Sequence, residues 1–318
     1  MSGQRLDGLP THLRPPAAAR GHSSHRAAVR RRTAALAAIA AITMPAVARD
    51  AESPAAPETR AGRNTPLPLW EVGAYSIGAW QPAYPGSEQN LTRSQLLPYA
   101  IYRGSMLRVE GGGIGVRALR TPRFEWDVSA SGSFGSPSNE VRARQGMADI
   151  GTLVQLGPAL RVNLGDLVDP NRDPRQTRLE FPVRAVFDAY HGFGYEGWTI
   201  EPRFSHTAWQ GVSTSAVVSA SVLFGSRAIN DLFYGVAPAY ATPERPAYEA
   251  RAGLISTVLS GYIRHRLSPT LQLSFFANVS TVRGSANHAS PLLLQDENAG
   301  FGLALSWAIW SSETLGTE

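Results

Sequence analysis

The sequence predicts an all-β fold, namely a closed antiparallel transmembrane β-barrel of about 12 strands (10–14) that follows a cleaved signal peptide. Three observations lead to this prediction. An apolar run near the N-terminus follows a group of arginines, the rest of the chain alternates between apolar and polar residues, and none of the 318 residues is Cys. A membrane-spanning sheet must be closed, because lipid offers no hydrogen-bond partner to an open edge.

The apolar run extends from Thr33 to Ala48 and follows Arg30-Arg31-Arg32. A basic segment, an apolar segment and a small-x-small site, here Ala46-Val47-Ala48, are typical of a secretory signal peptide. We therefore predict a signal peptide over residues 1–48 with a long N-terminal region. A conventional signal would begin at Val29, which predicts that translation starts there. The alternative is a membrane anchor, but the run is shorter than the ~20 residues that a spanning helix needs.

The positive charge of the chain is concentrated in this leader. All 30 basic residues are Arg, and seven of them lie in residues 1–48 with a single acidic residue, Asp7. The remainder has 23 Arg against 24 acidic residues, which is a net charge of −1. The mature chain therefore has no basic surface for nucleic acid. The lack of Cys excludes disulfides, thiolate metal sites and Cys nucleophiles.

Residues 49–68 are rich in Ala, Pro and charge, and they are predicted to form a disordered periplasmic linker. The barrel is predicted over residues 69–310, and residues 311–318 form a C-terminal tail. The clearest strand begins at Phe124, where Phe124 and Trp126 share one face while Glu125 and Asp127 share the other. The predicted strands are 69–80, 94–103, 105–119, 122–135, 150–164, 177–189, 196–207, 211–224, 230–240, 248–266, 269–281 and 297–310.

Strand length separates two all-β folds. Several segments have ten to fifteen residues, whereas strands of soluble sheets mostly have about five or six and a tilted membrane strand needs about 9–11. This favours the outer membrane of a Gram-negative bacterium over a soluble β-sandwich. No helical periodicity is found in the mature chain. Aromatic residues near strand ends are expected at the two membrane interfaces, and these are Trp70, Trp80, Tyr99, Tyr102, Trp126, Phe134, Trp198, Tyr262 and Trp307.

Charged residues on the polar faces of the strands are expected to point into the barrel. They are Glu125, Asp127, Glu180, Arg184, Glu201, Arg203 and Arg251. They would either line a hydrated pore or cross-link a closed lumen through ion pairs, and the sequence leaves both possibilities open. Pro182 and Pro202 lie inside predicted strands, where they would interrupt regular hydrogen bonding.

Motifs for catalysis or cofactor binding are weak. Residues 113–118 match a dinucleotide-binding fingerprint, but a turn and a strand follow instead of a helix, so the glycines are expected to form a bend in a strand. His288 and Ser290 would share one face of a strand, although no orienting acid is evident. The other histidines of the mature chain are His191, His206 and His265, and none has the spacing of a metal site. We assign no catalytic, cofactor-binding or metal-ligating residues.

Seven short motifs occur in an order that resembles one protein family. They are residues 70–73 (WEVG), 84–87 (YPGS), 97–104 (LPYAIYRG), 143–150 (ARQGMADI), 156–160 (LGPAL) with 182–185 (PVRA), 234–240 (YGVAPAY) and 246–248 (PAY). On these motifs the chain resembles the MipA/OmpV (MltA-interacting protein) family of outer-membrane proteins, from about Leu69 to Trp310. Ala148 stands where the family usually has Pro, and residues 311–318 follow the position where the family usually ends on an aromatic residue.

The resemblance implies a non-enzymatic scaffold that links a lytic murein transglycosylase to a murein synthase. Its expected partners are outer-membrane lipid and a murein hydrolase or synthase in the periplasm, with no cofactor. Other members are treated as antigens, adhesins or porin-like proteins. The alternatives are a passive channel for small solutes, which the charged inner faces favour, and, third, an outer-membrane lipid hydrolase that would use His288 and Ser290.

Overall fold

A computed structural model describes residues 68–103, 107–110, 113–116, 119–121, 123–165, 176–189 and 192–315. The predicted signal peptide and residues 49–67 of the predicted linker lie outside these ranges. None of the helices in the described part is long and apolar enough to cross a membrane.

The described residues form one antiparallel sheet in which strands that follow each other along the chain are neighbours. The strands are β1 (Trp70–Pro82), β2 (Asn90–Arg103), β3 (Leu107–Glu110), β4 (Gly113–Val116), β5 (Leu119–Arg120), β6 (Phe124–Ser133), β7 (Leu153–Asn163), β8 (Thr177–Asp188), β9 (Tyr195–Ile200), β10 (Arg203–Gln210), β11 (Thr214–Gly225), β12 (Gly253–Arg266), β13 (Leu271–Thr281) and β14 (Glu297–Ser311). One α-helix, α1 (Arg227–Tyr234), and three short 3₁₀ helices, Ser138–Glu140, Arg142–Arg144 and Pro238–Tyr240, lie in the loops.

The sheet closes on itself as a barrel. The first strand, β1, pairs with β2 on one side and with the last strand, β14, on the other. On the far side, β5 pairs with β6, and Cα atoms of β4 and β6 lie within 8 Å of each other. β4 and β5 thus form one interrupted strand, as do β9 and β10, which both lie between β8 and β11. The described part of the wall therefore has twelve strands, which confirms the predicted fold class.

Two of the predicted strands are wrong, and the errors cancel in the strand number. The predicted strand 105–119 is wrong, because its described parts Leu107–Glu110 and Gly113–Val116 pair with each other as the hairpin of β3 and β4. A run of Gly permits a tight reversal as readily as a bend. Residues 230–240 begin inside α1. Ser226 caps this helix by accepting a hydrogen bond from the Ile229 N–H, and Ile229 and Phe233 lie one turn apart on its buried face. A short apolar run does not distinguish a strand from a buried helix.

The alternating pattern predicts the two faces of the wall correctly. In β14 the side chains of Phe301, Leu303 and Leu305 are exposed on the outside, whereas Ala304 and Ser306 are buried inside. Large exposed apolar side chains recur on the outer faces of β8, β12 and β13. Such an outer surface is suited to contact with lipid.

The aromatic residues divide into two groups. Six of the nine predicted interface residues are exposed on the outer face, namely Trp70, Trp80, Tyr102, Trp126, Trp198 and Trp307. The prediction is wrong for the other three. Tyr99 and Phe134 are buried inside the barrel, and Tyr262 packs against a buried apolar cluster. Proximity to a strand end says nothing about which face a side chain occupies, and that choice decides its environment.

The two ends of the barrel differ in their connections. Where β1 begins, residues 211–213 and 267–270 make short turns, whereas the opposite end carries the long loops 134–152, 226–252 and 282–296. Short periplasmic turns and long extracellular loops are typical of outer-membrane barrels.

The chain beyond β14 folds back at the periplasmic end. The Leu69 N–H donates to the Thr314 carbonyl, and Pro68 forms a bridge with Leu315.

Candidate functional site

Opposite charges alternate across the inner face of four strands. The strand register places Glu125 of β6 opposite Arg161 of β7, and Arg161 opposite Glu180 of β8. Glu180 in turn lies opposite Arg203 of β10. Arg161 Nε lies 3.6 Å from Glu180 Oε1. We call these four residues the charge ladder. Neighbouring strands thereby attract each other across the wall through their inward side chains.

One carboxylate of the interior joins two guanidinium groups. Arg184 Nη1 donates to Glu201 Oε2 at 3.0 Å, and Arg203 Nη2 donates to Glu201 Oε1 at 2.7 Å. Arg184 Nε also donates to Ser129 Oγ at 2.9 Å, which ties the group to β6. Glu201 occupies the break between β9 and β10, directly before Pro202. All three charged side chains are buried. Removal of the carboxylate or of the guanidinium groups would therefore leave a buried charge without compensation.

An apolar cluster reaches across the lumen. Phe134, which follows β6, packs in one group with Ile77 and Ala79 of β1, Phe276 of β13 and Ala304 of β14. A Cβ atom on Gly302 would overlap the Phe276 ring, so this glycine leaves the space that the ring occupies. We call this group the lumen cluster. It joins opposite parts of the wall by packing, although barrel interiors are usually polar.

Four loops form a packed cover over the extracellular end, which we call the loop cap (residues 83–89, 134–152, 226–252 and 282–296). Its buried side chains form one core with residues at the ends of the strands below. The core contains Ala83, Tyr84, Leu91, Val141, Met147, Ile150, Leu153, Val186, Leu223, Ile229, Phe233, Tyr234, Val236, Ala250, Ile255 and Leu292. The loop cap is therefore an extension of the folded barrel.

Arg144 and Tyr84 form a buried contact within the loop cap. The Arg144 guanidinium donates to the Phe233 carbonyl at 3.3 Å and to the Ala148 carbonyl at 3.1 Å, and it lies 5.9 Å from the centre of the Tyr84 ring. Burial lowers the pKa of Arg144. Tyr84 donates to the Leu292 carbonyl at 2.7 Å, and burial raises the pKa of its hydroxyl to about 12. These contacts link all four loops.

Arg245 joins two of these loops through carbonyl groups. Its Nη1 donates to the carbonyls of Ala143 at 2.9 Å and Gln145 at 3.1 Å, and its Nη2 donates to that of Tyr240 at 2.8 Å. Asn287 has a similar role, because its amide donates to Asn230 Oδ1 at 2.8 Å. The cap loops are thus held in one arrangement by directional bonds as well as by apolar packing.

The geometry of the His288 region does not support a hydrolase. The structure identifies the orienting acid that is not evident from the sequence, since His288 Nε2 lies 2.9 Å from Asp296 Oδ1. Ser290, however, is buried, and its hydroxyl donates to the Tyr234 carbonyl at 2.7 Å. The proton that a histidine base would accept is therefore held by a backbone carbonyl. His206 and His265 contact the hydroxyls of Thr177 and Thr214, and His191 lies outside the described residues.

Five of the seven predicted inward charges face the lumen, namely Glu125, Glu180, Arg184, Glu201 and Arg203. The side chain of Asp127 lies outside the described set. The prediction for Arg251 is wrong, because this residue precedes β12 and is exposed in the loop cap, where its N–H donates to Asn287. Arg161 is not among the predicted inward charges, although the alternation of β7 places it on the same face as the buried Ala159. Within the described ranges, no three His, Asp or Glu residues are arranged to hold a metal ion.

Comparison with known proteins gives one family match. The family model described as "MltA-interacting protein MipA" matches residues 74–309. None of the curated proteins matches the chain.

Solved structures that match this chain include outer-membrane proteins of low sequence identity. The NanC porin is 8% identical, with 76% of this chain and 100% of that chain covered and a TM-score of 0.33. The translocator domain of the autotransporter NalP from Neisseria meningitidis is 11% identical, with 78% of this chain and 91% of that chain covered and a TM-score of 0.41. An outer-membrane channel from Pseudomonas putida F1 is 11% identical, with 80% of this chain and 99% of that chain covered and a TM-score of 0.35.

Proposed function

The chain belongs to the MltA-interacting protein MipA family of the Gram-negative outer membrane, and from this membership we propose that it is a non-enzymatic scaffold for enzymes of murein metabolism. The family description carries this proposal, since it names an interaction with MltA, a murein enzyme. The proposed partners are a murein hydrolase of that type and a murein synthase, both on the periplasmic side.

The packed side chains inside the barrel favour a scaffold over a passive channel. The lumen cluster joins β1, β13 and β14 to the end of β6, and the loop cap covers the extracellular end. The charge ladder and the Arg184–Glu201–Arg203 group place paired charges on the inner face of the wall between β6 and β10. A barrel of about 12 strands is narrow enough for inward side chains to close it. Such a barrel serves as a rigid membrane anchor for a periplasmic complex.

We place the partner's contact surface on the periplasmic turns. Val212, at the tip of the turn between β10 and β11, is 82% exposed, and Leu267 in the adjacent turn is 52% exposed. Arg266 Nη2 donates to the Val212 carbonyl at 2.7 Å, which fixes the two turns side by side. Exposed apolar side chains on neighbouring ordered turns are suited to bind a protein surface.

Site-specific photocrosslinking in intact cells tests the scaffold. A photoreactive amino acid at Val212 or Leu267 should yield an adduct that contains a murein hydrolase or synthase. The matched control is Leu294 in the loop cap, which is 49% exposed and lies at the other end of the barrel. Adducts from Leu294 but not from the two turns, or adducts without any murein enzyme, would contradict the scaffold.

A channel is the second candidate, because the charge ladder lines the inner wall with hydrophilic groups. Planar-bilayer recording of the purified barrel distinguishes the two functions. Steady current from the unmodified protein would favour the channel, whereas its absence would leave the scaffold ahead.

A further inference from the structure

A row of small uncharged residues crosses the inner face of five strands. The strand register places Ser205 of β10 opposite Ser219 of β11, and Ser219 opposite Ser260 of β12. Ser260 lies opposite Asn278 of β13, and Asn278 lies opposite Gly300 of β14. We call these five residues the polar row. Because none of its side chains is larger than that of Asn, the row leaves space beside it in the lumen.

On β13 and β14 the polar row lies between the lumen cluster and the loop cap. Phe276 of the lumen cluster precedes Asn278 by two residues and is therefore the next inward residue toward the periplasm. On the extracellular side of the row, Asn298 of β14 is bonded to the loop cap. Its Nδ2 donates to the Ser87 carbonyl at 2.8 Å, and its Oδ1 accepts from the Gly86 N–H at 2.7 Å. The space beside the row is thus bounded by an aromatic ring on one side and by an ordered loop on the other.

Two side-chain amide oxygens in this space lack a hydrogen-bond partner. Asn278 is 7% exposed, and its Oδ1 is buried without a partner among the residues that the structure describes. Gln81 Oε1 of β1 is buried and unpartnered in the same way. A Cβ atom on Gly300 would lie 3.5 Å from Asn278 Oδ1 and 3.2 Å from the carbonyl oxygen of Trp80, the residue before Gln81. Buried acceptors are normally satisfied, so these two oxygens indicate a ligand that donates hydrogen bonds.

The chemistry of these residues restricts the class of the ligand. The polar row and Gln81 contain no carboxylate, although carboxylates are the usual ligands of Ca²⁺ in proteins. An anion would meet two acceptor oxygens and no cationic side chain in this set. A neutral compound with several hydroxyl groups can donate to both amides and can also bond the hydroxyls of Ser219 and Ser260, which lie 3.2 Å apart. Its C–H groups would pack against the Phe276 ring, as in pockets that combine aromatic walls with a few polar groups.

We propose that the space beside the polar row binds a small neutral polyhydroxyl compound, a sugar or a polyol, through Asn278, Gln81 and the hydroxyls of the row. The compound enters from the extracellular side, because the lumen cluster lies on the periplasmic side of the row. Entry requires the 83–89 loop to move away from Asn298. This site is independent of the murein partner, whose proposed contact surface lies at the opposite end of the barrel.

Equilibrium dialysis of the folded protein in detergent micelles against radiolabelled glycerol and, separately, radiolabelled glucose tests the site. Binding is measured directly, because sugars and polyols also stabilise proteins by exclusion from their surface. Asn278→Leu and Gln81→Leu each replace one amide by an apolar side chain of similar size. Gln272→Leu is the matched control, since Gln272 is an inward amide of β13 on the other side of Phe276. Heat-modifiable gel migration verifies that each variant is folded.

The unmodified protein should bind at least one of the two compounds saturably. Each amide variant should bind it at least about tenfold more weakly, because a hydrogen bond to a buried acceptor is lost, whereas Gln272→Leu should bind it within about twofold of the unmodified protein. No saturable binding of either compound would overturn the proposal, since ordered water would then satisfy both amides. So would unchanged binding in either amide variant, or an equal loss in Gln272→Leu. Binding of radiolabelled calcium that depends on Asn278, without binding of glycerol or glucose, would also overturn it.

Discussion

Phe134 and Phe276 belong to one buried cluster although they come from distant parts of the wall, the end of β6 and the middle of β13. Phe134 is also the first residue of the 134–152 loop, which carries Val141, Met147 and Ile150 in the core of the loop cap. The packing inside the lumen and the cover above it are therefore parts of the same chain segment. A change at Phe134 should affect both.

The first prediction concerns this residue. Phe134→Ala removes one of the two aromatic rings of the lumen cluster, and we expect a destabilisation of about 3–5 kcal/mol together with a measurable bilayer conductance. Phe301→Ala is the control, because Phe301 is exposed on the lipid side. Urea unfolding and planar-bilayer recording measure the two effects. Equal behaviour of both variants would mean that the lumen cluster does not close the barrel.

The second prediction concerns Glu201. Glu201→Gln keeps the shape of the side chain but leaves Arg184 and Arg203 without their carboxylate, so we expect a loss of about 3–5 kcal/mol in the free energy of unfolding. The matched control is Glu249→Gln in the exposed pair with Arg227, where we expect less than about 1 kcal/mol. Urea unfolding at neutral pH compares them. A smaller effect at Glu201 than at Glu249 would contradict the structural role of the buried group.

The third prediction concerns the attachment of two cap loops. Arg245→Ala removes the bonds to Ala143, Gln145 and Tyr240, so the 226–252 loop should become more accessible to protease while the barrel remains folded. Arg227→Ala serves as the control, because Arg227 has an exposed partner on its own loop. Limited proteolysis followed by mass spectrometry locates the cleavage sites. Cleavage that is equally fast in both variants would show that Arg245 does not hold the loops.

The fourth prediction concerns pH. Burial raises the pKa of Tyr84 from its ordinary value of 10.0 to about 12, so folding favours the neutral hydroxyl. Its contribution to stability should be fully present below pH 10 and should be lost as the pH rises through 12. The absorbance of tyrosinate during a pH titration measures the ionisation of this hydroxyl. Tyr84→Phe should remove one late-titrating group, and an unchanged titration would contradict the buried environment.

The residue pattern predicts which side chains face lipid and which face the lumen wherever a strand is long and regular. In β14 the alternation from Phe301 to Ser306 is reproduced residue by residue. The prediction from alternation fails where the alternating segment is interrupted or short. The sequence predicts an inward Arg251 because the predicted strand 248–266 begins before Gly253, the first residue of β12. It predicts a strand over residues 230–240, which begin inside α1, because a short apolar run fits a strand and a buried helix equally well. Local composition contains no information on which of these alternatives packs better.

The sequence by itself determined the class of the protein, the approximate strand number and the two faces of the wall, because these follow from a period of two residues that each strand carries on its own. Only the tertiary structure decided that Glu201 lies between two arginines, that Phe134 joins the lumen cluster and that Arg144 and Tyr84 meet in the loop cap. These contacts depend on strand register and on loops that fold back across the barrel. They are set by packing between segments far apart in the chain, which no local pattern specifies.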